Sequence, residues 1–320
     1  MAEIEVGSQL TLVELAKRSV NSKIVTDIAE TISKIIQVME DAVHIECNQV
    51  DHHIFTQRLS YPAGSWRQLN SGVAGEASVT KQVTEGTGML EAFSTIDEAL
   101  VELSGNSAAF RHTEDMAFLE GLTQTFGTAL VYGNIGVNPE QIQGWATRYA
   151  TAGTLVKSAS GTGSDTSSVW IVQWGQTKCH MLYPQGSSVG LDAEDLGVET
   201  VLDSDNSYPY RAYRTHFKWK PGFAVHDDRC IGRVANIEDD GAANLFNPDL
   251  LIQIINNMIE RAAGAVIYVN PTIQSQMDVA AMDKANVYYS VKDLFGVPTT
   301  HFRGIPIKQF DSITVTETAI

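Results

Sequence analysis

Apolar residues recur every three or four positions over residues 10–41, where Ile24, Ile28, Ile32, Ile35 or Ile36, and Met39 share one helical face. Leu10, Leu12 and Leu15 predict a shorter helix before it, broken near Asn21-Ser22. Two core helices fit this pattern, and so does an arm that lies on another copy of the chain. From His44 to Gly88 the period changes. Ile54–Leu59 reads as a strand, Tyr61-Pro62-Ala63-Gly64-Ser65 as a turn, and Val73–Thr80 has little to bury. A long β-hairpin with a polar, small-residue tip fits. Isolated hairpins are marginal in water, so it needs something to lie on.

Met89, Phe93, Ile96, Leu100 and Leu103 then mark one helix face. After Gly105-Asn106 comes the strongest helix signal, about 113–132. Thr113 is the expected N-cap, Glu114 and Asp115 suit the positive end of the helix dipole, and Leu119, Leu122, Phe126, Ala129 and Leu130 form the stripe. Gly133-Asn134 ends it. Gly121 and Gly127 cost about 1 kcal/mol each against alanine, which predicts close passage of another backbone there. Fourteen of the eighteen residues 151–168 are Ala, Gly, Ser or Thr, the clearest candidate linker.

Beyond it the chain is β-rich. Val169–Trp174 and Cys179–Tyr183 flank Gly175-Gln176 as a predicted hairpin. Residues 210–220 alternate, with Tyr213, Thr215, Phe217 and Trp219 on one face and Arg214, His216, Lys218 and Lys220 on the other. Arg229–Ile237 predicts a strand, and Leu250, Leu251, Ile254, Ile255, Met258 and Ile259 an amphipathic helix. The strand Ala265–Val269 runs into Asn270-Pro271-Thr272, and Gly304-Ile305-Pro306-Ile307 and Asp311 follow.

At 320 residues, 43% hydrophobic and 19% charged, the chain can bury one large core or two modest ones. No apolar run approaches the roughly 20 residues of a membrane helix, and the acidic start lacks a signal-peptide pattern, so a cytoplasmic site of synthesis is expected. Cys47, Cys179 and Cys230 are odd in number and far apart, against a disulfide framework or a Cys-x-x-Cys zinc site. A net charge of -16 repels free nucleic acid. It argues against a sequence-specific DNA binder, not against a container for DNA.

Asp51-His52-His53 is the most tempting chemical signal, since such a triplet opens the metal site of one phosphoesterase class. That chemistry needs further acidic ligands. Asp227-Asp228, with His226, and Asp239-Asp240 are the only nearby candidates, so a surface strand without metal is the expected reading. Gly161-Thr162-Gly163-Ser164-Asp165 lacks the ending of a phosphate loop. Asp192, Glu194, Asp195, Glu199, Asp203 and Asp205 lie in a stretch with no Lys or Arg from Cys179 to Tyr210. The spacing fits no calcium loop. It reads as a solvated loop, or as an acidic patch facing the basic residues 214–220, within or between subunits. No nucleophile–base arrangement emerges among the eight histidines, so no catalytic residue, metal or cofactor is expected.

Several phrases together resemble one branch of a known family. They are Gly88-Met89-Leu90-Glu91-Ala92-Phe93, Tyr132-Gly133-Asn134, Tyr213-Arg214-Thr215-His216-Phe217-Lys218-Trp219, Asn270-Pro271-Thr272 and Phe302-Arg303-Gly304-Ile305-Pro306-Ile307. With the order of parts, they resemble the major capsid proteins of tailed bacteriophages, of Hong Kong 97-type fold. The resemblance implies an α+β chain with an N-terminal arm (1–43), an extended hairpin loop (44–88), a peripheral domain with spine helix and linker (89–168 and 299–320) and an axial domain (169–298). It implies a structural, non-enzymatic subunit of the virion, assembled in the bacterial cytoplasm into pentamers and hexamers of an icosahedral head around double-stranded DNA held non-specifically. It implies a separate scaffolding protein, because no long helical segment precedes the arm, together with a portal and a possible decoration protein. Trp66, Arg67, Lys81, Arg214, Lys218, Lys220, Asp192, Glu194 and Asp195 are the interface candidates. Lys81 is the only lysine of the loop and no catalytic acid stands near it in sequence, so a shell without covalent cross-links is expected. An encapsulin-like nanocompartment shell is the alternative of the same fold; a phosphoesterase using Asp51, His52 and His53 is the distant one.

Overall fold

The structure is a computed structural model that describes residues 19–20, 23–24, 36–105, 107–187, 189–203, 208–241, 243–282, 289–294 and 297–320. Strands β1 (Ser19–Val20) and β2 (Lys23–Ile24) pair antiparallel, so Ile24 is extended rather than helical. Of the helical reading of 10–41, the end appears as α1 (Ile36–Asp41); residues 10–18, 21–22 and 25–35 lie outside the described residues. Strand β3 (His44–Glu46) leads to β4 (His52–Ser60) and β5 (Val79–Gly86), the expected long hairpin.

Strand β6 (Leu90–Asp97) and helix α2 (Glu98–Leu103) replace the single helix expected over Met89–Leu103. The apolar positions at helical spacing misled because Ala92 and Ser94 carry a second, alternating pattern. That pattern pairs β6 with a strand more than 100 residues later. Helix α3 (Ser107–Tyr132) is 26 residues long. It starts before Thr113, whose hydroxyl donates back to the Ala109 carbonyl 3.0 Å away instead of capping. Gly121 faces open space, contrary to the expected close passage. The close approach comes at Gly144, where a Cβ would lie 2.6 Å from the Gly133 nitrogen and 2.7 Å from the Val131 oxygen. Gly144 also precedes the short helix α4 (Trp145–Arg148).

Strands β7 (Val156–Ser158) and β8 (Thr166–Gln173) lie in and beside the supposed linker. Every residue of β8 is buried, including Thr166, Ser167 and Ser168. The small residues at 166–168 are therefore core residues of a close-packed sheet, and a boundary at 168/169 falls inside a strand. Next come β9 (Cys179–Tyr183), β10 (Leu191–Leu202), β11 (Pro209–Trp219), β12 (Gly222–Val225) and β13 (Ile231–Glu238). Helix α5 (Pro248–Asn257), β14 (Ala265–Val269), α6 (Pro271–Met282), β15 (Tyr289–Leu294), β16 (Val297–Phe302) and β17 (Ile305–Gln309) complete the chain.

One seven-stranded sheet, in the order β15-β16-β17-β14-β8-β13-β7, organises the body. Alternation along β8 feeds two cores. Trp170 and Val172 join Phe126, Leu130, Trp145, Tyr268 and Phe310 on one side. Val169 and Ile171 join Leu251, Ile254, Ile267, Ile273 and Met277 on the other. A strand buried on both faces reads as a continuous apolar run, as Val169–Val172 and Ala265–Val269 do. The expected hairpin across Gly175-Gln176 is absent: β8 stays in this sheet, while β9 pairs with β12 and β3 in a three-stranded sheet. Most of the acidic stretch is not a loop: Asp192, Glu194, Asp195 and Glu199 lie on β10, edge strand of the third sheet, β10-β11-β6, Asp203 follows the strand, and Asp205 lies outside the described residues.

Candidate assembly surface and its anchor

The β4–β5 hairpin is buried only at its base. Phe55 is enclosed, whereas residues 58–82 are exposed throughout. Nine residues of β4 extend about 30 Å. Its tip carries Trp66, fully exposed, and Leu69 at 91% exposure, with Tyr61 and Val73 also outside. Among the described residues nothing covers these apolar side chains, and such patches mark interaction surfaces.

The base, by contrast, is clamped. The Phe55 ring stacks on His226 at 4.0 Å, and the Gln57 amide donates to the His226 carbonyl at 3.0 Å. The Gly88 N–H donates to the Pro221 carbonyl at 2.9 Å. Arg148 on α4 grips Glu85 on β5 with two N–H donors, at 2.7 and 2.6 Å. That bidentate geometry fixes orientation as well as charge. The ribbon thus leaves the body at a defined angle.

Under the base, His53 of β4, His180 of β9 and His226 after β12 converge, with one ring nitrogen of each within 4.8 Å of the others. Burial lowers the pKa of His53, and burial followed by the nearby His53 lowers that of His226. His180, fully buried, is drawn down to about 4 by burial first, then by His226 and His53. The Gly175 backbone works weakly the other way, yet neither His180 ring nitrogen has a partner in hydrogen-bond geometry. The Asp51-His52-His53 triplet is split. Asp51 bonds His52 at 2.6 Å on the exposed side, and His53 turns inward. Among the described residues neither acidic doublet joins this cluster. Asp227 pairs with Arg229 at 2.8 Å, and Asp239-Asp240 lie with Asp165. The two-metal phosphoesterase constellation is therefore not assembled.

The acidic and basic residues of β10 and β11 meet within the subunit. Lys218 lies 2.9 Å from Glu194, Arg214 3.0 Å from Glu199, and Arg111 of α3 2.7 Å from Asp195. A hydrogen bond from Lys218 lowers the Glu194 pKa and one from Arg111 lowers that of Asp195, while the Glu194 partner raises that of Lys218. Asp192 stands opposite Lys218 in the ladder, and Lys220 is exposed just past β11.

Two anchors carried no signal in the sequence. Asp41, at the end of α1, receives the Tyr268 hydroxyl at 2.8 Å and lies 2.5 Å from Lys308, tying the start of the described body to the central sheet. Near the other end, Glu317 pairs with buried Arg233 at 2.8 Å and accepts from Ser168 and from the Tyr132 hydroxyl, the latter at 2.6 Å. Arg233 also donates to the Tyr149 carbonyl at 3.0 Å and lies over the Trp170 ring. The Asn270 side chain accepts from the Thr272 N–H at 3.0 Å, starting α6, and donates to the Ile313 carbonyl.

A two-cored body thus extends a clamped ribbon whose apolar tip is uncovered among the described residues. The model of the family described as major capsid protein GP7 matches residues 20–320, and the chain belongs to that family. A chain of the solved structure of bacteriophage Epsilon15 is 30% identical, with 100% of this chain and 99% of that one covered, and superposes with a TM-score of 0.74. The capsid of bacteriophage JBD30 is similar at 9% identity (TM-score 0.49; 90% and 97% covered). The holo-SrpI encapsulin complex from Synechococcus elongatus PCC 7942 is similar at 8% (TM-score 0.46; 72% and 97% covered). Neither of these last two bears on function. Comparison with curated proteins gave no match. The chain is a phage major capsid protein of Hong Kong 97-type fold, a component of the virion, and the nanocompartment alternative is not favoured.

Proposed function

We propose that the chain works by non-enzymatic assembly, forming pentamers and hexamers that close an icosahedral head around double-stranded DNA. The observation that carries this reading is the contrast between the clamped base and the fully exposed Trp66 tip of the hairpin. The hairpin loop (44–88) and the arm (1–43) act as straps on neighbouring subunits. Residues 89–168 and 299–320 serve as the peripheral domain and 169–298 as the axial domain, with the central sheet spanning both.

Trp66, Arg67 and Lys81 are the strap's contact residues. Asp192, Glu194, Asp195, Arg214, Lys218 and Lys220 form a charged edge that orients neighbours, most of it already paired within the subunit. Exposed pairs of this kind contribute little energy each, so the edge supplies register rather than affinity. A separate scaffolding protein and a portal complete the head in the host cytoplasm. The formal net charge of -16 keeps the grip on DNA non-specific.

Trp66→Ala tests this directly. It removes a side chain exposed in the isolated subunit, so the unfolding midpoint stays unchanged while the yield of shells in electron micrographs falls at least tenfold. Normal shells from Trp66→Ala would remove the tip from the assembly surface.

A further inference from the structure

Buried polar groups almost always find partners, and a histidine with both ring nitrogens unsatisfied is an exception that requires an explanation. His180 is such a residue: it is fully buried and neither nitrogen is bonded. The Nε2 of His226 is likewise buried and unpartnered. His53 Nδ1 holds only a long 3.4 Å contact from the Asn48 N–H. These are the three rings whose nitrogens lie within 4.8 Å of one another. Their centroids are 4.9, 5.7 and 6.0 Å apart.

We propose that His53, His180 and His226 form a binding site for a divalent first-row transition metal, with Zn²⁺ the natural occupant and water as the fourth ligand. Zinc takes imidazole nitrogens at 2.0–2.1 Å in tetrahedral geometry, which places the nitrogens about 3.4 Å apart. Small ring rotations supply that contraction, and ligation through His53 Nδ1 would replace its long contact from the Asn48 N–H. Imidazole donors without carboxylates select zinc, copper or nickel over magnesium or calcium. The three ligands come from three segments: His53 from the hairpin's outgoing strand, His180 from β9 and His226 from the turn after β12. The bound ion therefore staples the ribbon base to the β12-β9-β3 sheet. The site departs from the metal-free reading of the sequence, and it differs from the Asp51-His52-His53 triplet in excluding Asp51 and His52. It does not depend on the proposed strap function.

Co²⁺ titration of the purified full-length chain tests the site, because four-coordinate Co²⁺ absorbs in the visible range. The expected result is saturable absorption at one ion per chain, displaced by Zn²⁺. It disappears in His53→Gln and in His226→Gln and is retained in His52→Gln. Both ligand variants are partly exposed positions, and circular dichroism checks that they fold. As a second readout, Zn²⁺ raises the unfolding midpoint of the wild type and not of either variant, and a chelator reverses the rise. Absence of saturable binding in the wild type overturns the proposal. So does binding by His53→Gln and His226→Gln equal to wild type, or its loss in His52→Gln.

Discussion

Gly121 and Gly144 differ in what surrounds them. Gly121 sits on the exposed side of α3 with nothing within 4 Å of a built Cβ, whereas Gly144 lies against backbone at 2.6 Å. Gly121→Ala is therefore expected to stabilise the chain by roughly 0.5–1 kcal/mol, through helix propensity alone. Gly144→Ala is expected to destabilise it by roughly 1–3 kcal/mol, because backbone cannot yield as a flexible side chain can. Urea unfolding of the two variants reads both signs. Glu317 makes a sharper case. Its carboxylate is the counter-charge for Arg233, and both side chains are 4% exposed. Removing one member of a buried pair strands the other, so Glu317→Ala should cost about 3–5 kcal/mol. Nothing near Glu317 in a Thr-rich tail announces this, since its partners are 84, 149 and 185 residues away.

Elements were legible where one period dominated. The alternation of Tyr213, Thr215, Phe217 and Trp219 predicts β11, and the continuous run Ala265–Val269 predicts a strand buried on both faces. Legibility failed where tertiary pairing chose between two periods. Leu90–Asp97 carries apolar residues at helical spacing, yet pairing with β11 over eight residue positions, Ala212–Trp219, holds it extended. The residues at 166–168 failed differently: small residues suit both flexible linkers and tightly packed strands, and only burial separates them. The hairpin was readable, but its clamp was not, because Glu85 and Arg148 are 63 residues apart. Glu85→Ala should loosen the base while leaving the body intact. Hydrogen exchange is expected to quicken across β4 and β5 and to stay unchanged in β8 and β14. Equal acceleration in the central sheet would mean the pair supports the whole body rather than the ribbon.

At the scale of the molecule, burial and exposure divide the labour. The seven-stranded sheet, covered on both faces, gives a rigid body, and the clamps at Asp41, Glu85 and Glu317 fix the segments that enter and leave it. Outside that body stands a ribbon whose apolar tip is uncovered among the described residues. The family makes the chain a capsid subunit, and on the proposed assembly the partner of the tip is another copy. The proposed metal site would give His53, one member of the triplet that first suggested hydrolysis, a structural use instead. The most direct measurement is a cryo-electron microscopy reconstruction of the assembled shell at side-chain resolution. The account predicts that residues 61–78 cross a subunit boundary, with Trp66 buried against the neighbouring copy. A tip folded back on its own subunit, or standing in solvent with Trp66 uncovered, would contradict it.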